Sequence, residues 1–231
     1  MSPAPVPLEA RGLHRFHRRG GTEVAALLDV GLRVDEGESV AVMGPSGSGK
    51  STLLSLLAGT DQPDGGSVHV EGSLLSHVGD REATRLRARH IGVLTQSGGL
   101  LGHLSVLDNV RLAASLRPTR PAGRTVMAPE EVLEALGLAA VGRARPATLS
   151  GGEAARAGLA VALAGTPTIL LADEPTAEIS ADEETSLLDL LSVARPADGA
   201  TVIVTHSAAV AQRADRVIRL LDGRLTPTES S

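Results

Sequence analysis

The chain has 231 residues, 42% of them hydrophobic, and a formal net charge of −5 at pH 7. This composition favours one large folded domain, or a core with a small insertion, and it disfavours a disordered or fibrous chain. The absence of cysteine excludes disulfides and thiolate metal sites, and the acidic balance with one Phe and no Tyr or Trp disfavours nucleic acid as a partner.

The two ends of the chain differ in composition from the rest. Residues 1–7 are rich in Pro and residues 226–231 are rich in Ser and Thr, so we expect both to be flexible tails. The N-terminus lacks the basic and apolar regions of a secretory signal, and no apolar run approaches the roughly 20 residues that cross a bilayer. We therefore expect a cytoplasmic chain that does not span a membrane by itself.

Short apolar runs alternate with helical stretches along the chain. The predicted strands are residues 38–43, 67–70, 91–95, 168–173 and 201–206. Strands that alternate with helices indicate an α/β fold with a mainly parallel sheet. The continuous apolar runs at 169–172 and 202–204 predict strands that are buried on both faces.

The segment 97–156 has a different pattern. It contains two segments with helical periodicity, VLDNVRLAASL and PEEVLEALGL, joined by a turn-rich stretch. We predict an inserted helical subdomain over 97–156 and an α/β core made of 8–96 and 157–225.

A glycine-rich loop follows the first predicted strand of the core and precedes a helix. Its pattern, Gly44-x-x-x-x-Gly49-Lys50-Ser51, is that of a phosphate-binding P-loop, and Lys50 is the only lysine in the chain. A compact ammonium on a flexible stem can reach the phosphates where the planar fork of Arg would not substitute. The alternative, a loop that only caps a helix, explains neither the lone lysine nor the strand before it. The nucleotide-binding candidates are Gly44, Pro45, Ser46, Gly47, Ser48, Gly49, Lys50, Ser51 and Thr52.

A second glycine pair occurs in LSGGE, at 149–153. Ser150 and Glu153 fit a capping box at a helix start, which is a purely structural interpretation. A capping box does not require Gly151 and Gly152, whose exposed backbone N–H groups would form a second anion site. Further along, Asp173 and Glu174 end an apolar strand, so both carboxylates should lie at the carboxyl edge of the sheet.

The P-loop, LSGGE and ILLADEP together resemble the ATP-binding subunit of an ABC transporter, and the resemblance covers nearly the whole chain. It implies a P-loop NTPase core with antiparallel N-terminal strands and an inserted α-helical subdomain that carries LSGGE, the family's signature motif. In that family two subunits pair head to tail, and each ATP lies between one P-loop and the partner's signature. One P-loop per chain therefore implies a homodimer or a heterodimer with a second ATP-binding subunit.

The resemblance also assigns roles to single residues. Ser51, Gln96 and Asp173 would hold Mg²⁺, and Glu174 would polarise the attacking water. His206, which ends the strand TVIVTH, would contact the γ-phosphate as the switch histidine, and Gln96 would also assist the water. Ser150, Gly151 and Gly152 would contact the ATP of the partner subunit.

Two positions depart from the family pattern. The residue that stacks on adenine is Phe16 or His17, depending on register, and the spacing slightly favours His17. Ser180 occupies the place of the usual aspartate after ADEPT, although Ser180 and Glu183 still fit a capping box for the next helix. We expect that coupling between the two ATP sites is altered, or that the chain pairs with a different subunit.

The sequence as a whole predicts an ATPase that binds ATP and Mg²⁺ and powers a separate transmembrane permease at the inner face of the cell membrane. It resembles most closely the branch of lipoprotein-release and macrolide-export ATPases. The alternative is a regulatory ATPase of a membrane complex that does not transport, and an inactive subunit also stays open. A small-molecule P-loop kinase is disfavoured because such enzymes lack LSGGE.

Overall fold

The computed structural model describes residues 6–19, 22–96, 98–117, 126–196 and 198–227. The strands in chain order are β1 (Leu8–Arg19), β2 (Thr22–Val34), β3 (Ser39–Met43), β4 (Gly65–Val70), β5 (Ser73–Leu74), β6 (Ile91–Leu94), β7 (Ile169–Asp173), β8 (Ala200–Thr205), β9 (Arg216–Leu221) and β10 (Arg224–Pro227). The helices are α1 (Lys50–Leu57), α2 (Asp80–His90), α3 (Val106–Ser115), α4 (Pro129–Ala135), α5 (Gly151–Leu163), α6 (Ala181–Ala194) and α7 (Ala208–Gln212).

The smaller sheet is antiparallel and has the strand order β2-β1-β4-β5. Its strands β1 and β2 confirm the antiparallel N-terminal strands of the predicted fold class. The strand predicted at 67–70 also belongs to this sheet, because β4 pairs antiparallel with β1. Its alternating burial is typical of a strand with one face on the core.

The larger sheet has the order β10-β9-β3-β8-β7-β6, and its strands run parallel except for β10. The predicted mainly parallel α/β sheet is confirmed. In β7, Ile169 and Leu171 belong to one apolar cluster, whereas Leu170 and Ala172 belong to the other. The strand is therefore buried on both faces, as its continuous apolar run predicts.

Helices α3 and α4 lie in the predicted insertion and pack against α5. Val106 of α3 and Val132 of α4 share an apolar cluster with Leu159 of α5 and Leu170 of β7. The insertion therefore has no separate core in the described residues, since it covers one face of the large sheet. The boundary at residue 156 stays a prediction, because α5 continues through it, and residues 97 and 118–125 lie outside the described residues.

Ordered structure continues into both predicted tails. The buried Pro7 accepts a hydrogen bond from the Glu71 N–H at 2.9 Å, and Thr226 and Pro227 belong to β10. Residues 1–5 and 228–231 lie outside the described part of the chain, so their predicted flexibility stays a prediction. In the described part, no helix combines the length and apolar character that crossing a membrane requires.

Gly92 in β6 lets the end of α5 approach the sheet closely. A Cβ at this position would lie 2.1 Å from the Ala162 carbonyl oxygen, a backbone atom that a rotamer change cannot move. We expect Gly92→Ala to destabilise the fold by about 1–3 kcal/mol, the usual cost of overpacking. Urea unfolding measures the change.

The matched control is Gly79→Ala at the N-cap of α2. A Cβ there meets nothing within 4 Å and the backbone φ is −64°. Equal unfolding midpoints for the two variants would show that the contact with α5 gives way without cost.

Candidate active site

The parallel register of the large sheet places four strand ends side by side. Met43 of β3 pairs with Thr205 of β8, Val204 of β8 pairs with Asp173 of β7, and Ala172 of β7 pairs with Leu94 of β6. The residues that follow these ends are those that the sequence singled out. The carboxyl edge of such a sheet is where ligands of open α/β folds bind.

A cavity of about 760 Å³ opens at this edge, within the usual range for ligand sites. It is lined by His17, Val24, Ala25, Ala26, Ser46, Gly47, Gly49, Lys50, Ser51, Thr52, Gln96, Asp173, Glu174, Ala177 and His206. The structure therefore brings together the phosphate loop, both acidic residues, the glutamine and the histidine. Sequence reasoning missed the wall formed by Val24, Ala25 and Ala26, because small apolar residues carry no distinguishing signal.

The phosphate loop turns sharply from β3 into α1. Gly49 has φ +104°, and a Cβ there would lie 2.4 Å from the Ala26 carbonyl oxygen, so both conformation and space require glycine. The Lys50 ammonium is largely buried and donates to the carbonyl oxygens of Gly44 at 2.8 Å and Pro45 at 3.1 Å. The cation is thus held over the loop by its own backbone, where phosphate oxygens can replace the carbonyls.

Asp173 lies at the end of β7, beside the start of α1. Burial is the largest influence on the Asp173 carboxyl and raises its pKa. The charge of Glu174 also raises this pKa, whereas the hydrogen bond from the Ser51 hydroxyl and the charge of Lys50 lower it. Carboxylate and hydroxyl oxygens are ligands that suit Mg²⁺. The described residues contain no group of three or more His, Asp or Glu placed to hold a metal.

Glu174 adopts an unusual backbone conformation with φ +44°, and such strain is concentrated at functional sites. Its N–H donates to the Val204 carbonyl oxygen at 2.9 Å. Its Oε2 accepts the His206 N–H at 3.2 Å and lies 2.9 Å from His206 Nδ1. The Glu174 side chain is only 16% exposed, whereas the His206 side chain is 71% exposed, so a sheltered acid contacts an accessible histidine.

The two candidates for the adenine contact lie on different sides of β1. The His17 Nε2 lies 3.3 Å from the Thr52 Oγ1, and His17 lines the cavity. Phe16 is absent from the described lining and stacks on His14, with ring centroids 6.5 Å apart. The structure therefore places His17, which the spacing favours, in reach of a ligand in the cavity, and it places Phe16 elsewhere.

The signature residues lie at the N-terminus of α5. The Ser150 Oγ accepts the Glu153 N–H at 3.2 Å and the Glu153 Oε2 accepts the Ser150 N–H at 2.8 Å, which confirms the capping box. The Glu183 carboxylate lies close to Gly152, whose backbone N–H helps to lower the pKa of Glu183. The described lining of the cavity does not include Ser150, Gly151 or Gly152, so one chain does not bring the two predicted phosphate elements together.

Ser180 caps α6, and the predicted capping box is also present here. Its Oγ accepts the Glu183 N–H at 3.4 Å, and its own N–H donates to the Glu183 Oε2 at 3.3 Å. The hydrogen bond from the Ser180 hydroxyl is the main cause that lowers the pKa of Glu183. The helix start therefore forms without the aspartate that is usual in the resembled family.

Comparisons with known proteins place these features in context. A family model described as "ABC transporter" matches residues 27–177. The lipoprotein-releasing system ATP-binding protein LolD of Chromohalobacter salexigens is 39% identical over 222 residues, which is 96% of this chain and 93% of the relative. The uncharacterized ABC transporter ATP-binding protein YbbA of Escherichia coli K12 is 40% identical over 224 residues, 96% of this chain and 98% of the relative.

Two further similarities concern a larger protein and a solved structure. The macrolide export ATP-binding/permease protein MacB of Rhodopseudomonas palustris is 40% identical over 229 residues, which is 97% of this chain but 35% of that protein. A dimeric ATP-binding cassette in a post-hydrolysis state, bound to ADP and Pi, superposes with a TM-score of 0.85 at 30% identity. The similarity covers 97% of this chain and all of the cassette.

The raised pKa of Asp173 predicts a pH-dependent stability of the nucleotide-free protein. At a pH between 3.8, the ordinary pKa of Asp, and the raised pKa in the folded protein, the folded chain holds a proton that the unfolded chain has lost. The free energy of unfolding therefore falls as pH rises through this window. We expect Asp173→Asn, which cannot titrate, to melt at a higher temperature than the wild type at pH 7 and to lose much of this advantage near pH 4.

Thermal unfolding in chelator without nucleotide measures this difference, with Glu134→Gln, an exposed carboxylate on α4, as the control. An Asp173→Asn difference that stays the same at both pH values would contradict the burial of a charged Asp173.

Proposed function

We propose, from the premise that this chain belongs to the ABC transporter family, that it is the ATPase subunit that drives a separate membrane permease. The observation that carries the proposal is the meeting of Lys50, Asp173, Glu174 and His206 at one cavity on the carboxyl edge of the sheet. The relatives named for lipoprotein release and macrolide export support an export or lipoprotein-release type. The chain would then lie at the inner face of the cell membrane, attached through its permease.

The phosphate loop is the proposed grip on ATP. The Lys50 ammonium already faces backbone carbonyls, and the N-terminus of α1 adds partial positive charge toward an anion. Ser51, Gln96 and Asp173 would hold Mg²⁺, whose charge stabilises the phosphate oxygens during transfer. His17 would lie against the adenine, with its Nε2 oriented by Thr52.

Glu174 is the proposed residue that polarises the attacking water. Its carboxylate is sheltered, and its contact with His206 fixes the direction in which it can accept a proton. A positioned general base of this kind contributes about 10² to 10⁴ in rate. His206 is exposed enough to contact the γ-phosphate while it keeps Glu174 in place.

The complete site requires a second subunit in this proposal. The signature residues do not line the cavity of their own chain in the described residues, and the similar solved cassette is dimeric. A partner's γ-phosphate would approach Ser150, Gly151 and Gly152 at the N-terminus of α5. It would have to compete there with the Glu183 carboxylate, which lies close to Gly152.

Removal of the Glu174 charge tests the catalytic role. We expect Glu174→Gln to bind ATP as the wild type does and to hydrolyse it about 10² to 10⁴ times more slowly, since an amide cannot accept the proton of the water. ATP binding and phosphate release are measured on the full chain, with the exposed Glu134→Gln as the control. Turnover within twofold of the wild type would reject the assignment.

Mixing two inactive variants tests the shared site. Lys50→Ala damages the phosphate loop and Ser150→Arg damages the signature, so each variant alone should have little activity. A mixed dimer has one site in which both defects meet and one site that is intact. If subunits exchange freely, about a quarter of the wild-type activity should return on mixing, because half of the dimers are mixed and each has one good site. No recovery, with mixed dimers shown to form, would contradict a site built from two chains.

A further inference from the structure

The Glu184 carboxylate bridges two loops that leave the candidate active site. Glu184 lies in the first turn of α6, where its N–H donates to the Ser180 carbonyl oxygen at 2.8 Å. Its Oε1 accepts the Thr176 hydroxyl at 2.9 Å and the Ser207 hydroxyl at 2.9 Å. One oxygen atom thus joins the segment after β7 to the segment after β8.

Each hydroxyl lies close in sequence to a residue of the proposed hydrolytic pair. Thr176 follows Glu174 by two residues and is only 9% exposed, so its hydroxyl has little access to water. Ser207 directly follows His206. The contact between Glu174 and His206 therefore lies between two anchor points that the same carboxylate holds.

Ser207 makes further hydrogen bonds that fix the orientation of its side chain. Its Oγ accepts the Val210 N–H at 3.4 Å as the N-cap of α7, and its N–H donates to the Thr205 Oγ1 at 2.9 Å. A hydroxyl has one hydrogen, so donation to Glu184 leaves its lone pairs free to face the start of α7. Hydrogen bonds to a carboxylate are stronger than those between neutral groups, and this one fixes the rotation of the Ser207 side chain.

We propose that Glu184 is a positioning residue for ATP hydrolysis, which holds His206 against Glu174 by tying Thr176 to Ser207. The inference rests on the proposed roles of Glu174 and His206. Glu184 acts through these residues and does not itself line the cavity in the described part of the chain. Displacements of about 1 Å at a reacting group can cost up to 10²-fold in rate, so a lost tether should appear in kcat more than in KM.

Three variants of the full chain test this role. Glu184→Ala removes the bridge and should lower kcat about tenfold while KM for ATP changes less than twofold. Glu184→Gln keeps an oxygen that accepts both hydroxyls, and it should retain more than a third of the wild-type kcat. Asp182→Ala removes a carboxylate from the same helical turn without touching either loop, and it should match the wild type, because Asp182 is exposed.

A double variant with Glu174→Gln tests whether Glu184 acts through Glu174. If Glu184 acts through Glu174, then adding Glu184→Ala should lower the residual rate less than twofold, since the two changes remove the same contribution. Thr176→Val removes one arm of the bridge and provides the test if Glu184→Ala fails to fold, with an expected fall in kcat of about threefold.

Two groups of outcomes separate the inference from the proposed function. A slow Glu174→Gln combined with a normal Glu184→Ala and a normal Thr176→Val overturns the positioning role alone. A Glu184→Gln that is as slow as Glu184→Ala, or rate losses that multiply in the double variant, also overturn it. A normal rate for Glu174→Gln overturns the proposed function itself, whatever the Glu184 variants do.

Discussion

The parallel pairing of β3, β8, β7 and β6 is the constraint on which the site depends. Parallel strands end at the same edge, and the register pairs their last residues almost directly, as in Met43 with Thr205 and Val204 with Asp173. Groups that are far apart in sequence therefore meet without any long loop to position them. Burial of both sheet faces fixes this register. A slip of one residue would turn each side chain of the slipped strand to the opposite face, and so from one apolar cluster into the other.

The site is polar and contains energetically unfavourable features before a nucleotide is present. Lys50 is bonded to carbonyls that a phosphate would replace, Asp173 is a carboxylate whose burial raises its pKa, and Glu174 has a left-handed backbone. The buried carboxylate and the left-handed backbone cost free energy in the isolated chain. Bound phosphates would take the place of the carbonyls at Lys50, and a cation would stabilise the charged form of Asp173. The Glu174 backbone is held by the hydrogen bond that its N–H donates to the Val204 carbonyl oxygen, and its carboxylate accepts the His206 N–H.

The phosphate loop, the acidic pair and His206 were predictable because each follows an apolar run that ends at the sheet edge, whereas LSGGE was predictable from its pattern at a helix start. Other features depend on the three-dimensional fold. Register shifts in β1 near Phe16 decide which of Phe16 and His17 reaches the cavity, and residue counting alone left both open. Helix α2 is charged over most of its length, so it has little apolar periodicity to reveal it. Glu184 looks like any surface acid on a helix until the fold brings Thr176 and Ser207 to it.

The lone lysine has a chemical consequence beyond nucleotide binding. Every other permanent side-chain cation in the sequence is a guanidinium, so an amine-directed acylating reagent has a single internal target in each chain. That amine is largely sheltered and engaged by two carbonyls. Acylation at this position would therefore be slow and would add a bulky neutral group where a cation belongs, and no other side chain offers a second amine.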